Sequence, residues 1–195
     1  MTEKGVRRFE VVIAGFGGQG LLTAGKLLAD AGAMHYEHVS FLPSYTPQMR
    51  TGESECAVTL SDKPITNPTS FYPPAVIAMG VEAKKEYEKR VKPGGMLFIE
   101  TSVVPDKATR DDIRVFYIPA ARLAAELGSP LVSNLILLGA YLEATKVLSL
   151  EAMERALEMR FAGTGRRGER LLDLDREALK VGARLAREAL EAKGS

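Results

Sequence analysis

Short runs of aliphatic and β-branched residues alternate along this chain with stretches in which apolar residues recur at helical spacing. Residues 9–14 are a continuous apolar-rich run ending at Gly15, which predicts a buried strand, and 21–33 carry the 3.6-residue period of a helix. A second strand is predicted at 38–42, and the Pro-, Ser-, Thr- and Gly-rich stretch that follows, to residue 52, predicts a loop. Residues 55–60 alternate apolar and polar positions as a half-buried strand does, 61–64 predict a turn, and 67–74 hold three prolines and predict irregular chain. Beyond them the pattern predicts strands at 75–79, 96–100 and 114–118, with an amphipathic helix at 82–91, a turn at 92–95 and a helix at 119–127 that Gly128 ends. Residues 131–148 are apolar around nearly the whole circumference, which predicts a buried helix, and Ser149 is placed to cap the next one through Met159. Residues 163–168 predict a basic, glycine-rich loop, and 175–193 a closing helix. Strands alternating with helices predict a three-layer α/β/α sandwich around a mostly parallel sheet with a Rossmann-like first strand-turn-helix unit. The short links around 55–60 leave room for an antiparallel pair, so a mixed sheet is expected.

Length and charge narrow the function. A chain of 195 residues, 46% hydrophobic, is long enough for one well-buried core and is expected to form one domain. Its 26 basic residues balance 25 acidic ones, so no global field holds nucleic acid or an anionic membrane, and neither is an expected partner. Cys56 is the only cysteine, which leaves no internal disulfide, no thiolate zinc site and no four-cysteine iron-sulfur site; His35 and His38 are the only histidines. No metal site is therefore expected on this chain. The first ten residues are polar, without an apolar run of leader type, and residues 131–142 are too short to cross a bilayer, so a cytoplasmic location is expected.

Two segments carry candidate chemistry. Gly15, Gly17 and Gly20, with Gly18 and Gln19 between them, have the spacing of a dinucleotide-binding turn between strand and helix. That reading also needs a carboxylate at the tip of the second strand, and none stands there; Glu37 precedes the strand, at the opposite edge of the sheet. An anion site at the helix N-terminus and a purely structural turn both remain open. The stretch 44–53 follows the second strand at the carboxyl edge of the sheet, where open α/β folds usually bind ligands. Within it Arg50 offers a bidentate guanidinium and Tyr45 a flat amphipathic surface; the plainer alternative is a surface loop in which Arg50 pairs with Glu53 or Glu55. Asn134, an amide inside an apolar helix, must find partners, whether backbone or ligand. Arg166 and Arg167 among three glycines would contact a phosphate or an acidic partner surface, or simply be solvated.

Gly15 to Gly20, then Ser44-Tyr45-x-Pro47-x-x-Arg50-x-Gly52, then Ala57-Val58, together resemble the gamma subunit, or domain III, of 2-oxoacid:ferredoxin oxidoreductases. Lys92-Pro93-Gly94-Gly95, Asn134 with Leu138-Gly139, and Gly182 are similar to that family too. Thr51 stands where the family usually has the first of two glycines, so the loop is expected to differ locally.

The resemblance implies a subunit that is inactive alone and assists oxidative decarboxylation of a 2-oxo acid, with coenzyme A as co-substrate and ferredoxin as electron acceptor. Thiamine diphosphate, magnesium and iron-sulfur clusters would sit on partner alpha and beta subunits, with room for a ferredoxin-like delta subunit, and the isolated chain could dimerise. Ser44, Tyr45, Thr46 and Arg50 would face the active site or the thiamine-binding partner, Gly17, Gly18, Gln19 and Gly20 would support them from the adjoining turn, and Gly15 and Asn134 complete the candidate cofactor-binding set. They would supply positioning and electrostatics, not proton transfer. The motifs look most like the 2-oxoglutarate branch; branched-chain 2-oxo acids, pyruvate and indolepyruvate are the alternatives, and a free-standing Rossmann-type nucleotide-binding protein is the rival outside the family.

Overall fold

A computed structural model describes residues 6–45 and 53–192. Its order is β1 (Arg8–Phe16), α1 (Leu21–Gly32), β2 (His38–Tyr45), β3 (Glu53–Ser61), β4 (Ala75–Ala78), α2 (Val81–Glu88), β5 (Met96–Glu100), β6 (Arg114–Ile118), α3 (Ala120–Glu126), a 3-10 turn (Pro130–Val132), α4 (Ser133–Thr145), α5 (Leu150–Phe161) and α6 (Gly165–Glu191). The sheet order is β2-β3-β1-β4-β5-β6. β1, β4, β5 and β6 run parallel, and β3 is antiparallel to both β1 and β2, so the expected mixed sheet is observed.

Period-two alternation assigns the two faces of the sheet. Val11 and Ile13 of β1, Val58 and Leu60 of β3, Ile77 of β4 and Phe98 of β5 point to the larger core, where they meet α1, α3, α4, α5 and α6. Val12, Ala14, Val76, Leu97 and Ile99 point to a smaller core closed by Ala83 and Tyr87 of α2 and by Val104 and Ile113. The second face thus has one helix, and over its β3 side the irregular segment 62–74 stands in for another. The hydroxyl of Thr59 donates to the Pro68 carbonyl at 2.8 Å, and the Ser70 N–H donates to the buried Glu10 carboxylate.

Segment 101–113 is tied to α2 by a buried ion pair. Lys84 Nζ lies 2.7 Å from Glu88 and also donates to the Lys107 carbonyl at 2.9 Å. Glu88 in turn accepts from the backbone of Thr109 and Arg110. Burial pushes the Glu88 carboxyl up, but these hydrogen bonds together outweigh it and hold it below the usual carboxylate range.

Three sequence expectations are corrected. The second strand does not end at residue 42 but continues through Pro43 to Tyr45, because β2 is the edge strand and its paired neighbour is β3 alone. The predicted helix 131–148 is a 3-10 turn followed by α4, which ends where Lys146 takes a left-handed φ of 53°. The expected basic loop 163–168 is mostly helix: α6 begins at Gly165, ten residues before the predicted start at Asp175.

α4 and α6 approach so closely that their glycines are obligatory. A Cβ at Gly139 would overlap the backbone of Leu179, and one at Gly182 would overlap the Ile136 carbonyl. Helix propensity alone would make Gly182→Ala stabilising by about 1 kcal/mol. Backbone overlap cannot be relieved by a rotamer change, so we expect Gly182→Ala to destabilise by about 2–3 kcal/mol in urea unfolding. A neutral or stabilised variant would refute the close crossing.

α6 also buries Asp175, which is 8% exposed, and burial raises its carboxyl pKa from 3.8 to about 6, with Arg160 opposing. The folded state therefore holds this proton more tightly than the unfolded chain does. The stability it contributes is complete below pH 3.8, fades as pH rises towards 6, and is gone above that. Asp175→Asn should leave stability near pH 4 unchanged and raise it above pH 6 by on the order of 3 kcal/mol, read from urea midpoints across that range.

Candidate functional site

The glycine turn connects the carboxyl end of β1 to α1, and Gly15, Gly18 and Gly20 in it each have a steric reason. Gly18 and Gly20 adopt φ of 90° and 72°, the left-handed region that side chains avoid. Gly15 is not left-handed; a Cβ there would run into the Gln19 amide and the Met79 side chain. Gln19 folds back into this space. Its Oε1 accepts from the Phe16 N–H at 2.7 Å and its Nε2 donates to the Met79 carbonyl at 2.9 Å, bridging the ends of β1 and β4. The side chain thus holds, from inside the turn, a backbone N–H that a bound anion would otherwise be free to take. No side chain caps α1, so its first N–H groups point outward past Gly20.

Asn134, in the first turn of α4, meets this turn from the other side. Its Nδ2 donates to the Gly20 carbonyl at 2.7 Å, while its Oδ1 is buried without a partner among the described residues. Backbone is therefore one partner of this amide. A Cβ at Gly20 would collide with the Asn134 amide, so the pairing requires both residues.

β3 decides what lies beside the turn. It inserts between β1 and β2, with Ser54 opposite both Gly15 of β1 and Tyr45 of β2. The backbone ends of β2 therefore lie two strands from the glycine turn, about 10 Å away. In a dinucleotide-binding fold the second strand is the immediate neighbour of the first and offers a carboxylate to the ribose. Here an antiparallel strand takes that place, and the amino edge, where His38 aligns with Ser61 and Ser61 with Arg8, is the edge that Glu37 adjoins.

Of the sequence-predicted site residues, Gly15, Gly17, Gly18, Gln19, Gly20 and Asn134 come together at one corner of the carboxyl edge, and Ser44 and the Tyr45 backbone lie two strands along it. Thr46, Arg50, Thr51 and Gly52 lie outside the described residues. Sequence reasoning missed a neighbouring hydrogen bond: the buried Tyr87 hydroxyl of α2 donates to Glu55, three residues beyond the loop. Burial, then that bond, raises the tyrosine pKa. Both side chains line a cavity of about 560 Å³ with Gly15, Ser54 and Arg90. The signal available beforehand was only a tyrosine in the second turn of a mostly charged helix.

Other groups are less suited to chemistry. Cys56 is buried against α1, where burial above all, and then the Glu55 charge, push its thiol up to about 12, so it is not a thiolate at neutral pH. Among the described residues no group of three or more His, Cys, Asp and Glu is arranged to hold a metal ion, and no helix is long and apolar enough to cross a membrane.

Residues 10–185 match the family model described as pyruvate ferredoxin/flavodoxin oxidoreductase. The chain is 34% identical over 153 residues to a 2-oxoglutarate synthase subunit KorC of Methanocaldococcus jannaschii, covering 77% of this chain and 82% of that one. It is 31% identical to a ketoisovalerate oxidoreductase subunit VorA of Methanothermobacter marburgensis over 95% of this chain, but spans only 38% of that longer protein. Among solved structures, the gamma subunit of a keto/oxoacid ferredoxin oxidoreductase from Geobacter sulfurreducens superposes with a TM-score of 0.78 at 28% identity, covering 92% of this chain and 99% of that one. With its mixed sheet, self-filled glycine turn and these relatives over nearly its whole length, the chain belongs to the 2-oxoacid:ferredoxin oxidoreductase family, as a gamma subunit.

Proposed function

We propose that this gamma subunit forms one unit of 195 residues that completes, on partner alpha and beta subunits, the coenzyme A-linked oxidative decarboxylation of a 2-oxo acid, 2-oxoglutarate first among them. One observation carries the reading: the glycine turn and both ends of the β2–β3 connection lie along one sheet edge, held there by the β3 ladder. Ser44 and the Tyr45 backbone share that edge with Gly15–Gly20 and Asn134, and on this reading Thr46 and Arg50 of the connection act with them. The role is positioning and charge. Thiamine diphosphate with magnesium supplies carbanion stabilisation and iron-sulfur clusters carry single electrons to ferredoxin, all on other subunits, in the cytoplasm. A ferredoxin-like delta subunit is compatible with this division of labour.

The filled glycine turn weighs against the rival reading of a free nucleotide-binding protein. In equilibrium dialysis the isolated chain is expected to retain no NAD or NADP at millimolar concentration, and tight retention of either would overturn the assignment.

The Arg50 prediction tests the site itself. Loss of a bidentate, charge-assisted contact removes about 1.5–3 kcal/mol, so Arg50→Ala in the reconstituted complex should lower kcat/KM for the 2-oxo acid or coenzyme A roughly 10–100-fold. Unchanged constants for both substrates would remove Arg50 from the site. The same complex, assayed by viologen reduction with 2-oxoglutarate, ketoisovalerate, pyruvate and indolepyruvate, is expected to turn over 2-oxoglutarate fastest. KorC-named relatives support that order, and a VorA-named one makes ketoisovalerate the runner-up.

A further inference from the structure

Arg166, Arg167 and Arg170 lie within the first two turns of α6 and, with Leu171, line a surface cavity of about 380 Å³. All three are exposed. Among the described residues no carboxylate or hydrogen-bond acceptor faces any of them. Seven other arginines, among them Arg7, Arg90, Arg110, Arg176 and Arg187, face carboxylates within 3.7 Å; Arg114, Arg155, Arg160 and Arg184 do not among the described residues, but Arg166, Arg167 and Arg170 are three such arginines lining one cavity together.

The placement works against the stability of the chain by itself. A helix N-terminus carries positive partial charge and favours acidic residues, yet the first turn of α6 contains none. Arg166 and Arg170, four apart, also repel each other across one helical turn. Nor is the start capped, since the Thr164 hydroxyl donates to the Phe161 carbonyl instead of accepting from a helix N–H. Glu169 and Asp173, on the same helix, form no ion pair with these arginines, so among the described residues the cluster has no carboxylate partner and its counter-charge is sought outside the chain.

Its position indicates where. Arg160, near the end of α5, shares a cavity with Thr23 in the first turn of α1 and with Pro43 of β2, so α5 ends at the carboxyl edge of the sheet. α6 starts a few residues later and runs back along α5, with Arg176 meeting both Glu154 and Glu158. The arginines therefore stand on the glycine-turn side of the molecule. Leu171, 41% exposed, and Met159 on α5, 58% exposed, add apolar surface on the same two helices. Arginine and methionine are enriched at protein interfaces, and a cavity walled by three guanidinium groups and a leucine offers no aromatic plane to a nucleotide base. The VorA relative, in which this fold is only 38% of the chain, has further polypeptide for such a surface to face.

We infer that Arg166, Arg167 and Arg170 form an electrostatic docking site for a carboxylate-bearing face of a partner subunit, resting on the gamma-subunit reading above. The test is the triple variant Arg166→Glu, Arg167→Glu, Arg170→Glu in the full chain. Because acidic residues suit a helix N-terminus, its thermal midpoint alone is expected to equal or exceed that of the wild type. Its affinity for the alpha and beta subunits should fall roughly 10–100-fold at about 50 mM salt, and the gap should narrow steeply by about 500 mM. Equal affinity of variant and wild type across that salt range would overturn the inference. So would normal assembly with a raised KM for coenzyme A alone, which would make the cluster a phosphate site. If the wild-type chain itself failed to assemble with those subunits, the gamma-subunit reading would fall and this inference with it.

Discussion

The β3 ladder is the constraint on which the rest of the site depends. Nine residue pairs join β3 to β1 and eight join it to β2, so the β2–β3 hairpin is fixed to the central strand in one register. A slip of one residue would turn Cys56, Val58 and Leu60 away from α1 and expose them on the second face, which makes the register costly to change. Because that register places Ser54 opposite Gly15, both described ends of the hairpin connection lie at the sheet edge that carries the glycine turn. The hydrogen bond from Tyr87 to Glu55 fastens the same strand end to α2. Burial and backbone pairing, not any one polar contact, thus determine where the ends of β2 and β3 meet that edge.

The same insertion sets this nucleotide-like motif apart from the arrangement of a dinucleotide site. Glycines spaced as Gly15, Gly17 and Gly20 allow a strand to turn tightly into a helix whatever lies beyond them. Two further structural elements make such a turn a dinucleotide site: a parallel second strand next door and an accessible row of N–H groups. Here β3 occupies the first position, and Gln19 uses one N–H of the second set. Asn134 then bonds the Gly20 carbonyl, so the turn is braced from β4 on one side and α4 on the other. The braced turn serves as a rigid abutment for neighbouring groups.

Much of this fold was legible in the sequence because its strands are buried runs. Residues 75–78 are AVIA and all four are buried, and 96–100 and 114–118 were bounded as observed. The errors have separate physical origins. Pro43 reads as a loop residue because it lacks an N–H, but an edge strand has one side on which no ladder bond is needed. Gly165 and Gly168 read as loop because glycine disfavours helices in isolation; in the fold, Gly168 packs against Thr164 one turn back at the start of the same helix, where a side chain would overlap the Thr164 Cβ. The candidate site was legible as a set of residues but not as a geometry. Spacing could not reveal that Gln19 fills the turn it belongs to, nor that Glu55 is held by a tyrosine thirty-two residues away.

Where this chain violates local rules, the violations fall into two kinds. Those at Gly139 and Gly182 are repaid within the fold, since glycine's poor helix propensity permits two helices to touch backbone to backbone. The uncapped basic start of α6 has no such internal compensation: removing its charges would relieve repulsion and lose no contact that the chain makes with itself. Asp175, buried on the same helix without a hydrogen-bond partner for its carboxyl among the described residues, is a second polar group that destabilises the isolated chain near neutrality. A helix that carries both is tuned less for the stability of a lone subunit than for a surrounding that supplies opposite charge. In the proposed assembly this puts the strongest demand for a partner on the same side of the molecule as the glycine turn.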